Sequence, residues 1–281
     1  MRFDRLFEIE PRHLEMASDQ FPNGPLRSAV QYLFNDDVQT SRTLLGEYVV
    51  AAPQDPLGYS LSAALCFYHL VAGRLQTHHG NSIRHMILGQ GIGLTPDLKQ
   101  ELGSCLHRAQ ALAQADLAAN SQDQNAIFAL CVAEGVNRDI MALVFKRWSP
   151  SFRHAQAATL RARQLLHLNP NAYDAYFVIG FSEYMIQEIP AIFRPFAKIP
   201  GIVGQTGRAI EFLDAAVRGG DYLREFARQM LVTVYAENGR ERDALQVLGE
   251  LTRDFPNNRA YQAEWTRLMA MMASSSSRIG T

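Results

Sequence analysis

Four histidines, His69, His78, His79 and His85, make the densest group of potential metal ligands in the sequence. Zinc-type sites need His, Cys or carboxylate ligands at short fixed spacings, most simply two histidines four apart on one helix face. The run HHGNSIRH has no such pair and no cysteine or carboxylate at ligand spacing, so it reads as an exposed loop. No metal and no cofactor are expected. Gly89, Gly91 and Gly93 in GQGIGL have the density of a phosphate cradle, but no GK[ST] follows and no strand precedes, so they read as turns. Cys66, Cys105 and Cys131 cannot all pair and form no CxxC pattern, which points to buried reduced thiols. The chain has no GxSxG, no HExxH and no cysteine with a general base nearby in sequence, so nucleophilic catalysis lacks its usual machinery. Glu134, Asp174 and Glu183 fall on helices, where carboxylates meeting across a groove would share a raised pKa. Solvated or arginine-paired carboxylates are the plainer reading.

The elements that must position these groups are bounded by composition. The 281 residues are 47% hydrophobic and 20% charged, with 19 Gly and 12 Pro, which describes a folded chain. With 27 basic against 28 acidic residues there is no counterion-release drive towards nucleic acid and no polybasic attraction to anionic lipid. Lys99, Lys146 and Lys198 are the only lysines, so positive charge sits almost wholly on arginine. The start, MRFDRLFEIEPRH, lacks the apolar core of a signal peptide, and no stretch is long enough to span a bilayer. A cytoplasmic location is the expectation, with a periplasmic one if the start is truncated.

Apolar residues recur at helical spacing. Phe226, Met230, Leu231, Val234 and Tyr235 form one stripe, and Asn238-Gly239 ends it with residues that accept the left-handed conformation. Ala244, Leu245, Leu248 and Leu251 form the next, closed by Pro256-Asn257-Asn258. Thr95-Pro96 reads as an N-cap with a proline in the first turn, opening a helix over 98–117 before a polar break at 121–125. The alanine-rich 155–168 ends in Asn169-Pro170-Asn171. No period-two alternation competes, so the chain is expected to be all-α.

In the last hairpin Tyr235, Gly239, Ala244 and Pro256, and one unit earlier Tyr176, Ile179, Gly180, Ala209 and Ala216, fall at spacings that resemble the tetratricopeptide repeat (TPR) family. Further back, Ile127 and Leu130 fit while Cys131 replaces the glycine, and Tyr59 and Ala63 match in part. The stretch from the helix at 122–148 through the insert EIPAIFRPFAKIPGIVGQT to 240 also resembles bacterial TPR-like proteins. The resemblance implies a right-handed α-solenoid of about five helical hairpins, at 24–52, 56–119, 122–168, 171–219 and 222–254, plus a capping helix at about 258–272. It would be a single domain over 1–273, with inserts at about 73–94 and 188–206 and a disordered tail over 274–281. The first helix of the third pair is expected to be overlong, from Gln122 to about Trp148. Small residues at Gly180, Ala209, Ala216 and Ala244 would let helix axes approach to roughly 8–10 Å.

The repeat register implies a concave face carrying Phe67, Tyr68, Phe128, Val132, Phe177, Phe181, Tyr184, Phe226, Gln229 and Thr233. Such rings are good binding anchors, and the same rings could instead meet as core. The insert adds Ile189, Ile192, Phe193, Phe196, Ile199, Ile202 and Val203, broken by three prolines; self-capping is expected, with a lid, a partner or a membrane surface as alternatives. The expected function is a non-catalytic scaffold holding a peptide or protein on an aromatic groove. The alternative is an assembly subunit of a complex, envelope-associated or otherwise, self-associating through the insert and the Met269, Met271 and Met272 end.

Overall fold

The computed structural model describes residues 24–75, 89–189 and 198–279; Ile192, Phe193, Phe196, His78, His79 and His85 lie outside them. Among the described residues all regular structure is helical. The first hairpin is α1 (Pro25–Phe34) and α2 (Val38–Ala51). The second is α3 (Pro56–Leu75) and α4 (Pro96–Ala119), and the third is α5 (Gln124–Asp139) and α6 (Trp148–Leu168). Then come α7 (Asp174–Glu188) with α8 (Thr206–Gly219), α9 (Arg224–Glu237) with α10 (Glu241–Asp254), and a last helix, α11 (Arg259–Ile279). Each helix packs on its hairpin partner and on the neighbouring hairpin, the all-α, TPR-like stacking read from the sequence.

Local chemistry sets the helix ends. Asp37, Thr95 and Asp123 each accept the backbone N–H three residues on, and Pro25 and Pro96 occupy first turns where no N–H is required. Gly239 turns α9 into α10 with φ of 71°. Close packing follows from small side chains: Gly180 presses on α8 so tightly that a Cβ would stand 3.0 Å from the Ala209 carbonyl oxygen. Ala209, Ala216 and Ala244 are wholly buried beside it or in the next pair.

Two expectations are corrected. The helix opening at Gln124 does not continue to Trp148: α5 ends in a π-helical turn, Ile140–Val144, and Lys146 takes a left-handed φ of 52° before α6 begins. The wide turn lets the Phe145 N–H reach back to Ile140 (3.2 Å) and leaves the Leu143 carbonyl pointing outward. That carbonyl accepts the N–H of Ile92 (2.8 Å), and Gly91 lies so close to the Val144 carbonyl that a Cβ would stand 2.5 Å from it. The Gly-rich run is therefore an extended strap docked on the π turn. The helix α11 also runs on to Ile279, into the stretch read as a disordered tail; extending a formed helix fixes few dihedrals per hydrogen bond gained.

The stack closes on itself. The Asn258 amide donates to the Phe34 carbonyl (2.7 Å), the Asn257 N–H to the Asn35 side-chain oxygen (3.1 Å), and Arg27 pairs with Asp221 at 3.1 Å. The first hairpin thus touches the last, and α3 comes to face α9.

Candidate functional site

Within this closed stack lies a cavity of about 1130 Å³, opening to solvent and walled by α3, α5, the π turn, α6, α7, α9 and α11. Its lining follows helical spacing on each wall: Ala64, Tyr68 and Val71 on α3; Val132 and Val136 on α5; Trp148 and Phe152 on α6; Phe226, Met230 and Thr233 on α9; Glu264, Leu268 and Met271 on α11.

Aromatic rings run across its floor. Phe34, fully buried at the tip of α1, stacks on Tyr68 (4.9 Å, 19°) and meets Phe226 edge-on (4.9 Å, 82°). Phe226 continues to Phe177 (6.2 Å), Phe177 to Phe181 (5.8 Å), and the Arg138 guanidinium lies 4.1 Å over the Phe181 ring. Such a series fixes several large apolar surfaces in one geometry before any ligand arrives. The Tyr68 hydroxyl donates to the Gln229 side chain, tying α3 to α9 across 161 residues of sequence. Burial holds the Tyr68 phenol well above its ordinary pKa, so it serves as a neutral donor.

Of the residues implied by the repeat register, Phe67, Tyr68, Val132, Phe177, Phe181, Phe226, Gln229 and Thr233 line the cavity. Phe128 and Tyr184 do not. Phe128 sits at the start of α5, buried against Tyr222 in a near-parallel pair at 6.0 Å. On α7 the cavity side carries Phe177, Phe181, Ser182, Met185 and Ile186, while Tyr184 lies on the flank towards α9, fully buried and donating to Glu237. Sequence reasoning missed Leu33 and the whole α11 wall, because both reach the cavity only through closure of the stack. The sequence offered only a capping helix at about 258–272 there, not what it would face.

The three candidate carboxylates do not meet one another. Glu134 pairs with the His154 ring at 2.6 Å. Glu183, with no side-chain exposure, accepts the N–H groups of Val203, Gly204 and Gln205 through one oxygen and pairs with Arg208 (3.1 Å) through the other. With Arg163, which donates to the Gly201 carbonyl (2.8 Å), it fastens the end of the insert, where Gly201 and Gly204 adopt positive φ. Ile189 and Ile199 of the insert are buried and line the cavity, whereas Val203 is exposed. Asp174 accepts the N–H groups of Asp221, Tyr222 and Leu223 and so fastens α7 to the turn that leads into α9; burial pushes its carboxyl up to about 6. The thiols of Cys66 and Cys105 are half-buried, that of Cys131 is buried, and all three are raised by desolvation. Among the described residues no group of three or more His, Cys, Asp or Glu is placed to hold a metal, and no helix is long and apolar enough to cross a membrane.

No family model matches the chain, and no curated protein matches it. Among solved structures, a thermophilic TPR protein from Thermus thermophilus is similar at 15% identity, over 88% of this chain and 97% of that one, with a TM-score of 0.47.

Proposed function

We propose that this chain is a binding scaffold without chemistry of its own, which holds a segment of a partner protein in the groove between α3, α7, α9 and α11. The observation that carries the reading is the run of rings from Tyr68 through Phe226 and Phe177 to Phe181, laid along a cavity of about 1130 Å³ and backed by the buried Phe34. That volume exceeds the roughly 300–1,000 Å³ of ordinary small-molecule pockets. Pre-packed aromatic anchors are what concentrates binding energy at protein interfaces. The three carboxylates that the sequence offered for chemistry support the same view, since Glu134, Asp174 and Glu183 are each engaged in holding the fold.

The test is photo-crosslinking in the native host, with a benzophenone amino acid placed at Phe181 and, as a convex control, at Val50, which is 81% exposed. An adduct specific to position 181 that disappears in the background of Phe177→Ala supports the groove. Equal adducts from both positions, or none, would count against it.

A second reading, self-assembly, is favoured by the outer face of α11, where Trp265 and Met269 are exposed. Sedimentation over a wide concentration range tests it; a monomer throughout would sink it.

A further inference from the structure

Several polar side chains of the groove wall are engaged within the fold. Tyr68 donates to Gln229, Ser182 shares a hydrogen bond with Thr159 (3.1 Å) and donates to the Val178 carbonyl, and Arg138 forks onto Asp139 at 2.7 and 2.9 Å. On the opposite wall Arg267 pairs with Glu264. An extended peptide laid into this space would bring one N–H and one C=O per residue and find few partners for them, and burying such groups unpaired is costly. An α-helix satisfies its backbone internally and asks the groove only for apolar contact. Phe181, Val136 and Met185 supply that contact, and the flexible thioethers of Met185, Met230 and Met271 adapt to the shape of what lies against them.

Size and charge agree. At a helix diameter of about 10 Å and a rise of about 1.5 Å per residue, the cavity volume corresponds to roughly ten residues, nearly three turns. The lining carries five carboxylates (Asp36, Asp139, Glu237, Glu241, Glu264) against three guanidiniums (Arg138, Arg259, Arg267), a net of two negative charges. Such a rim repels an anionic lipid headgroup, and the two arginines of the inner walls are already neutralised by Asp139 and Glu264. The same rim complements basic side chains along the flank of a helix.

We infer that the occupant of the groove is an amphipathic helix of about three turns from a partner protein, apolar towards Phe181 and basic towards the rim that Glu241 marks. The inference rests on the scaffold reading and sharpens it. Its probes are fluorescein-labelled peptides of Leu and Lys in amphipathic helical order, the same composition scrambled, the amphipathic order with Glu for Lys, and a Leu-Lys-Pro peptide that stays extended. A fluorescent long-chain fatty acid is the non-peptide probe. Anisotropy titrations on the full chain are expected to show the basic amphipathic peptide binding at least about tenfold more tightly than the scrambled and acidic ones. Phe181→Glu should cut that affinity by at least tenfold, and Glu241→Lys by several-fold; Met185→Glu repeats the test should Phe181→Glu fail to fold by circular dichroism. Equal binding of scrambled and ordered peptides, affinity unmoved by the groove variants, or no peptide binding at all overturns the inference. Tight, Phe181-dependent binding of the extended peptide alone would overturn the helix and leave the scaffold standing, whereas Phe181-dependent binding of the fatty acid alone would overturn both.

Discussion

Asp174 offers the sharpest test of how the groove is positioned. Its carboxylate accepts three N–H groups at 2.7–3.2 Å from the turn that opens α9, the helix presenting Phe226, Gln229 and Thr233 to the cavity. Hydrogen bonds from backbone N–H groups favour the charged carboxylate, and burial opposes it. Burial prevails, moving the carboxyl from 3.8 to about 6, a change worth on the order of 3 kcal/mol. A carboxyl that binds its proton more tightly in the fold than in the unfolded chain contributes stability that is fully present below about pH 4 and lost as the pH rises through about 6. Asp174→Asn keeps the volume and removes the titration. In urea unfolding followed by circular dichroism, the parent should lose about 2 kcal/mol relative to the variant between about pH 4.5 and 7.5. A gap that does not change with pH would refute the reasoning, and so would one that moves in the parent's favour, because then the three N–H groups outweigh desolvation.

Three further outcomes are expected. Glu183→Ala leaves the N–H groups of Val203, Gly204 and Gln205 and the Arg208 guanidinium without their buried partner, so stability should fall by about 3–5 kcal/mol and hydrogen exchange at 203–205 should quicken; a loss below about 1 kcal/mol contradicts the anchor. Gly180→Val drives side-chain atoms into the α8 backbone at Ala209 and Leu213 and should cost about 2–3 kcal/mol in urea, whereas an unchanged midpoint would mean that α7 and α8 part freely. In the native protein at mildly alkaline pH, Cys131, buried and pushed up to about 12, should resist Ellman's reagent until the chain is unfolded, while half-buried Cys66, at about 11, reacts slowly; rapid native labelling of Cys131 would show that α5 opens at that point.

Helix ends and hairpin turns were legible because they are written in a few neighbouring residues. Thr95-Pro96 caps α4, and Asn238-Gly239 turns α9 into α10, since only short-range geometry is involved. The small residues Gly180, Ala209 and Ala216 marked a close helix contact because no larger side chain fits there. The π turn at Ile140–Val144 was not legible: one residue of extra winding leaves the apolar periodicity of α5 almost unchanged. Nor was the role of Gly91, whose neighbour is a carbonyl some fifty residues away in sequence.

The aromatic residues mark the same divide. Their spacing put Phe177 and Phe181, or Tyr68, on one helix face, and the cavity uses that face. Which of two flanks a ring occupies depends on the neighbour it meets, so Tyr184 turns to Glu237 and Phe128 to Tyr222. An all-α chain of hairpins with apolar inner stripes could be read from residue order alone, because periodicity, caps and small-residue contacts are local. Closure of the stack, the completion of the groove by Leu33 and α11, and the fastening of the insert by Glu183 and Arg163 emerge only in the folded chain, because those contacts join residues that no local spacing relates.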